Sequence, residues 1–318
     1  IARDTQMDPS IAGAYTSLIF AAAALSSSAR GALIARLGPI RTNQFALCVC
    51  ALSLLFALGE TAFFIGLSAI LVGTGYGPNT PSGSQVLARV TPPRRRALVF
   101  SVKQSGASAG AMIAGALLPW LATSFDWRIA LLVATGIVLL AGAVISPLRP
   151  AFDDVVRSGK RVQAPSPREA IATVLSTPEL RLLVLGGFTL MMLHVCLQTF
   201  TVVYLVEHVG LEITVAGGLF ALLSGASAGS RIALGWTADR LGRARGLLVG
   251  LALLGVGSVW LMASLTPSWS YVLIALVCFI SGIGGAAWYG VYLAEIARRA
   301  PPSSAGLATG GTLTILFS

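Results

Sequence analysis

Charged side chains are scarce. They make up 11% of the 318 residues, against roughly 25% in ordinary soluble proteins. The 22 basic and 12 acidic groups cannot coat a water-soluble globule of this length, so a soluble enzyme and a disordered tail are excluded. Cysteine is also sparse, and Cys48, Cys50, Cys196 and Cys278 all lie in apolar runs without CxxC spacing. They read as small hydrophobes, which excludes a disulfide scaffold and a cysteine metal site. No GxxxxGK[ST] loop, HExxH helix or acidic pair occurs, so neither ATP coupling nor intramembrane catalysis has support; no enzyme activity, cofactor or metal is expected. No cleavable signal is visible. The chain starts at Ile1, which gives the expectation that its beginning has been lost.

What is present is hydrophobicity. Apolar residues are 55% of the chain and the mean hydropathy is +0.82. A spanning helix needs about 20 mostly apolar residues. Such runs lie near 11–30, 43–59, 62–88, 97–121, 127–147, 180–206, 213–235, 246–265 and 269–295, and a tenth begins near Gly306. The expected fold is an all-α polytopic membrane protein. Its 35 glycines suit close helix packing in lipid.

The basic residues set the orientation. Taken alternately, one set of connections holds 18 of the 22, among them Arg36, Arg41, Arg94, Arg149, Arg240, Arg245 and Arg299. The opposite set holds Arg3 and Arg128 beside Asp126, Glu60 and Glu207. By the positive-inside rule the first set is cytoplasmic. The net charge of +10 thus reads as topology and contact with anionic headgroups, with no nucleic-acid partner. The one long connection, 148–178, is a polar cytoplasmic linker between an N-terminal bundle (1–147) and a C-terminal bundle (179–318). Within it Ser166-Pro-Arg-Glu169 has the pattern of a capping box, which predicts a short surface helix.

The halves repeat. Gly31-Ala-Leu-Ile-Ala-Arg36-Leu-Gly38-Pro-Ile-Arg41 matches Gly235-Trp-Thr-Ala-Asp239-Arg240-Leu-Gly242-Arg243-Ala-Arg245 at an offset of 204. Further on, Gly73-Thr-Gly75 matches Gly282-Ile-Gly284 at an offset of 209. Both pairs have the same charge-derived sidedness, so the repeat is parallel.

The second copy resembles the signature of the major facilitator superfamily, G-x-x-x-D-R-x-G-R-x-[RK], at Gly235, Asp239, Arg240, Gly242, Arg243 and Arg245. The first copy keeps Gly31, Arg36, Gly38 and Arg41 but has Ala35 at the acidic position and Pro39 at the middle Arg. The resemblance implies two parallel six-helix repeats, of which nine complete helices and part of a tenth are expected here. The repeat offsets place about one helix before the chain and about 38 residues after it. It also implies that the signature loops latch the cytoplasmic side of an alternating-access carrier. Gly235 otherwise suits a tight turn, and Asp239 pairing with a loop arginine. Ala35 leaves the first-half latch weaker or differently built.

Ionisable groups inside a span are costly unless they face partners or water. Arg231 lies four residues before Gly235, about 6 Å inside the expected helix end. There it either snorkels to the headgroups or binds an anion. The family's monocarboxylate transporters carry an arginine at the matching place, with an aspartate one turn earlier where this chain has Ser227. Lys103, with Gln104 beside it, lies about 10 Å into its helix. His194, Gln198 and Thr201 form an i, i+4, i+7 stripe, cavity-lining or packing, and His194 suits proton coupling. Asn79, Gln85, Trp288, Tyr289 and Tyr292 complete the candidates, the aromatics alternatively filling core. The R-x-x-x-G and G-P-x-x-G-G patterns of proton-coupled drug exporters are absent.

The expected function is therefore secondary transport of a small solute, an organic anion, with a coupling proton, by a monomer in a cell membrane of the bacterial inner-membrane type. The alternatives are a membrane sensor or receptor on a transporter scaffold and a drug or metabolite exporter.

Overall fold

The computed structural model describes residues 11–26, 30–92, 95–153, 167–176, 178–241, 244–300 and 305–316, and among them every regular element is helical. In lipid the backbone must satisfy its own polar groups, and a helix does so within one segment. The helices are α1 (Ile11–Ser26), α2 (Arg30–Leu37), α3 (Pro39–Phe56), α4 (Ala62–Val90), α5 (Arg96–Ser124), α6 (Trp127–Val144) and α7 (Arg149–Phe152). They continue as α8 (Pro167–Ser176), α9 (Pro178–Glu207), α10 (Ile213–Leu241), α11 (Ala244–Ala263), α12 (Tyr271–Ala286), α13 (Tyr289–Arg299) and α14 (Ala305–Leu316). Among the described residues seven spans have the length and apolarity to cross a membrane, with shorter apolar helices at Ala12–Ser26 and Ala62–Gly77. The last of the seven, Tyr271–Ile296, contains the interruption between α12 and α13. The linker helix appears as α8; its expected cap, Ser166, lies outside the described residues.

The chain divides into two units, one of residues 1–90, 125–176 and 310–318, the other of 91–124 and 177–309. In sequence α5 precedes the linker, but it packs on α10 and belongs to the second unit.

In the first unit α4 packs against α1 and α3, and α3 against α6. Glycine makes these contacts close. A Cβ on Gly73 would overlap the carbonyl oxygen of Ile19 in α1, and one on Gly75 would lie 2.8 Å from that of Ala46 in α3. At one end of the unit Arg128 pairs with Glu60, lies 3.1 Å from Asp126 and stacks over Trp127 at 4.7 Å. Asp126 also caps α6 by accepting from the Arg128 amide at 2.7 Å.

The other end carries the basic connections. Ala35 offers no carboxylate there, and Asp153 supplies one from the end of α7. It accepts from the amides of Ile40 (2.8 Å) and Arg41 (3.2 Å) in the first turn of α3. Gly38, at φ +86°, leaves room for it, since a Cβ there would fall on the Asp153 carboxyl. Gln44 completes the tie, donating to Gly142 O and Ser146 Oγ and accepting from Arg149. An N-cap carboxylate contributes about 0.5–2 kcal/mol, whereas an exposed ion pair contributes under about 1 kcal/mol. Asp153→Ala is therefore expected to lower the melting temperature in detergent clearly more than Glu60→Ala. Equal shifts would contradict the capping role.

In the second unit α12 packs on α10 and α11, and α5 on α10. The second glycine pair repeats the task of the first. A Cβ on Gly282 would overlap the carbonyl oxygen of Leu223 in α10, and one on Gly284 would lie 2.5 Å from the Gly255 amide nitrogen in α11. Ile19 and Leu223 are themselves related by the offset of 204. The duplication seen in the sequence is thus a duplication of helix contacts. A core of Leu197, Leu205, Leu219, Leu223, Ile274, Val277 and Cys278 fills the space between α9, α10 and α12. All four cysteines are free thiols.

Candidate functional site

The site forms where α12 breaks. Gly282, Gly284 and Gly285 are poor helix formers, and they press against α9, α10 and α11. The helix stops at Ala286 and restarts at Tyr289. A helix end leaves carbonyls without an intrahelical donor, and they carry its negative pole. Arg231 of α10 meets that end: Nε and Nη2 donate to Ala286 O at 3.0 and 2.6 Å, and Nη1 donates to the Gln104 carbonyl of α5 at 2.7 Å. One turn away Ser227 shares a 3.1 Å hydrogen bond with Ser108 of α5.

This placement corrects the helix end read from the sequence. Gly235 is not a turn. It is a buried residue within α10, which runs on to Leu241 with Thr237 bonded back to Ala233 O. Arg231 is therefore about 15 Å from the helix end and only 4% exposed. Snorkelling is replaced by burial on two backbone carbonyls.

His194 comes to the same level. On α9, Gly187 faces Tyr292 of α13 so closely that a Cβ would overlap the phenol, and Leu197 faces Gly285 of α12. His194 lies between these two contacts in sequence, seven residues after Gly187. It is within electrostatic reach of Arg231. Of its stripe, Gln198 is half-buried, and Thr201 turns its hydroxyl to Leu197 O at 2.6 Å.

Trp288 and Tyr292 are each 1% exposed and pack edge-to-face with ring centres 5.2 Å apart; Tyr289 packs on Trp288 at 5.3 Å. Among the described residues the buried atoms Trp288 Nε1, His194 Nδ1, Tyr292 Oη and Ser101 Oγ have no hydrogen-bond partner.

Lys103 lies on α5 next to Gln104, whose backbone carbonyl takes the guanidinium. Asn79 lies on α4, and the side chains of Asn79 and Gln85 are outside the described residues.

The signature loop is placed in part. Asp239 Oδ2 accepts from the Leu98 amide in the first turn of α5 at 3.0 Å, and Arg240 stacks over Trp236 at 4.2 Å. Arg245 lies 3.8 Å from Glu295, a fully buried carboxylate that also pairs with Arg298 and Arg299 at 2.6 Å. Gly242 and Arg243 lie outside the described residues. In the first copy Gly31 is helical in α2, Arg36 is exposed, and Gly38 makes the turn. A separate groove of about 650 Å³ follows α10, lined by Met112, Gly218, Leu222, Gly225 and Phe279 without an ionisable group.

Sequence reasoning missed the Ala286 carbonyl and the unsatisfied indole of Trp288. The cluster Gly282-Ile-Gly-Gly285 was the available signal for the break. No side chain announces a backbone acceptor.

The sequence profile of the Major Facilitator Superfamily matches residues 1–317. The Inner membrane metabolite transport protein YhjE of Escherichia coli (strain K12) is 31% identical over 143 residues, which are 42% of this chain and 30% of that protein. The chain thus spans less than a third of that curated relative. The crystal structure of the human organic anion transporter MFSD10 (TETRAN) is similar with a TM-score of 0.71 at 18% identity, covering 99% of this chain and 78% of the other. At that identity the likeness is one of fold.

Proposed function

This chain belongs to the major facilitator superfamily, and from that premise we propose that it is a secondary active transporter that carries a small organic anion, with a proton, by alternating access. The observation that carries the anion is Arg231. A guanidinium buried in a membrane protein is costly, and this one donates to the Ala286 and Gln104 carbonyls with His194 within electrostatic reach. Its flat fork suits a carboxylate better than a point charge does. A proton on His194 and an anion on Arg231 attract each other in a site of low dielectric, which favours carrying both together. The likeness in fold to MFSD10, an organic anion transporter, lends support. The E. coli relative supports a bacterial inner membrane with anionic headgroups.

Asp239 is the proposed latch. Its carboxylate meets the positive end of α5 through the Leu98 amide, a contact of about 1 kcal/mol. Asp239→Asn is expected to slow uptake roughly fivefold and to make cytoplasmic cysteine labels react faster. Uptake and labelling both unchanged would leave the loop as an anchor only.

Uptake of labelled carboxylates, sugars and organic cations by the full-length protein in proteoliposomes tests the proposal. Carboxylate uptake driven by an inward proton gradient is expected. No uptake of any solute would favour the sensor reading, and uptake of cations alone would favour an exporter.

A further inference from the structure

We propose that the basic ends of α11 and α13 form a docking site for one anionic phospholipid. Arg245 and Arg298 hold its phosphate, and the outer face of α11 carries an acyl chain. Arg231 has no part in it.

Glu295 of α13 is outnumbered by its partners. Its carboxylate is fully buried; one oxygen accepts from Nε and Nη2 of Arg298 at 2.8 and 2.6 Å, and the other accepts from Nε of Arg299 at 2.6 Å. Those bonds engage both oxygens. Arg245, in the first turn of α11, stops 3.8 Å away, beyond hydrogen-bond length. Three cations thus border one anion, which leaves two positive charges in surplus. Arg245 and Arg298 are also the outward ones, with side chains 58% and 56% exposed. Like charges held close repel more strongly as water is excluded, and a bound anion relieves them. Both guanidinium groups border the same carboxyl group, so a single phosphate can bridge them, and the planar fork of arginine matches phosphate oxygens.

The outer face of α11 supplies the second half of the site. Leu248, Leu251 and Met262 are buried on the inner face, whereas Val249, Leu253, Val256 and Trp260 are 61–72% exposed. Counted from Arg245 these four follow at i+4, i+8, i+11 and i+15, all within about 80° around the helix. Arg245 therefore heads an unbroken apolar face. Half of the hydrocarbon core is about 15 Å, a length of helix that ends near Val256. The positive-inside rule sets this basic end among cytoplasmic headgroups, where anionic lipids lie.

The two features together select the partner. Soluble phosphate meets the arginines and leaves the apolar face uncovered. A zwitterionic lipid covers that face but brings a cation of its own to the arginines. An anionic phospholipid satisfies both, and its phosphate ties the start of α11 to the end of α13.

Native mass spectrometry of the full-length protein in detergent, titrated with phosphatidylglycerol or phosphatidylcholine, reads the affinity of the first lipid bound. Wild type is expected to prefer phosphatidylglycerol about tenfold. Arg245→Gln leaves Arg298 and Arg299 on Glu295 and is expected to cut that preference roughly fivefold. Arg181→Gln, an equal change of charge at the exposed start of α9, is expected to leave it intact. Inorganic phosphate at the same concentration is expected not to displace the lipid. Equal affinities in wild type, or a preference that survives Arg245→Gln, overturns the site. An equal loss in Arg181→Gln overturns it as well, since overall charge is then the cause. Displacement by inorganic phosphate overturns the choice of a lipid and assigns the arginines to a soluble phosphate.

Discussion

Arg231→Ala is expected to cut carboxylate uptake at least about 100-fold. Two charge-assisted hydrogen bonds at about 1.5–3 kcal/mol each convert to at least two decades at about 1.4 kcal/mol per decade. Arg231→Lys keeps the charge and is expected to lose most of the uptake as well. A compact ammonium does not bridge Gln104 O, Ala286 O and a carboxylate together, whereas the present guanidinium reaches both carbonyls at 3.0 Å or less. The alanine variant also strips two buried carbonyls of their donor, so its melting temperature in detergent must be read beside its transport. Arg231→Gln retains amide donors for Ala286 and serves as the folding control. Uptake by the lysine variant within about twofold of wild type would contradict the bidentate role.

Gly282→Leu is expected to abolish a stable, monodisperse protein, and Gly73→Leu to do the same. At Gly282 the neighbour is the Leu223 carbonyl, and at Gly73 the Ile19 carbonyl. Backbone does not yield by changing rotamer, so the helices must separate. Overpacking of this kind costs about 1–3 kcal/mol or more, and here it strikes the contact that joins α12 to α10 or α4 to α1. Gly250→Leu is the matched control, because a Cβ at Gly250 meets nothing within 4 Å. A Gly282→Leu protein that melts with the Gly250→Leu protein would contradict the account of helix packing.

The spans and the duplication were legible because lipid imposes length and apolarity, and because the repeat falls on the glycines that bring helices together. Gly73 with Gly75 and Gly282 with Gly284 were visible as a repeat, and the structure gives the cause, a backbone seated on a backbone in each unit. Arg231 stood out because an ionisable group in a span is rare. Its environment was not legible. The end of α10 was read at Gly235, although glycine is tolerated inside a helix when tertiary contacts hold it, and the error moved Arg231 outward by about two turns. The break after Ala286 arises from packing, with no proline to mark it. The carboxylate that Ala35 lacks comes from Asp153, through a contact with Ile40 that spans 113 residues of sequence, which local patterning does not carry.

Solute counterflow in proteoliposomes tests the central claim most directly, namely that an anion crosses by way of a carrier built around Arg231. Vesicles containing the full-length protein are loaded with an unlabelled small carboxylate and diluted into a trace of the same acid carrying label, without any ion gradient. A transient overshoot of label above equilibrium, present in wild type and absent in Arg231→Ala, is the expected result. Equilibration without overshoot, or an overshoot that Arg231→Ala leaves unchanged, would contradict it.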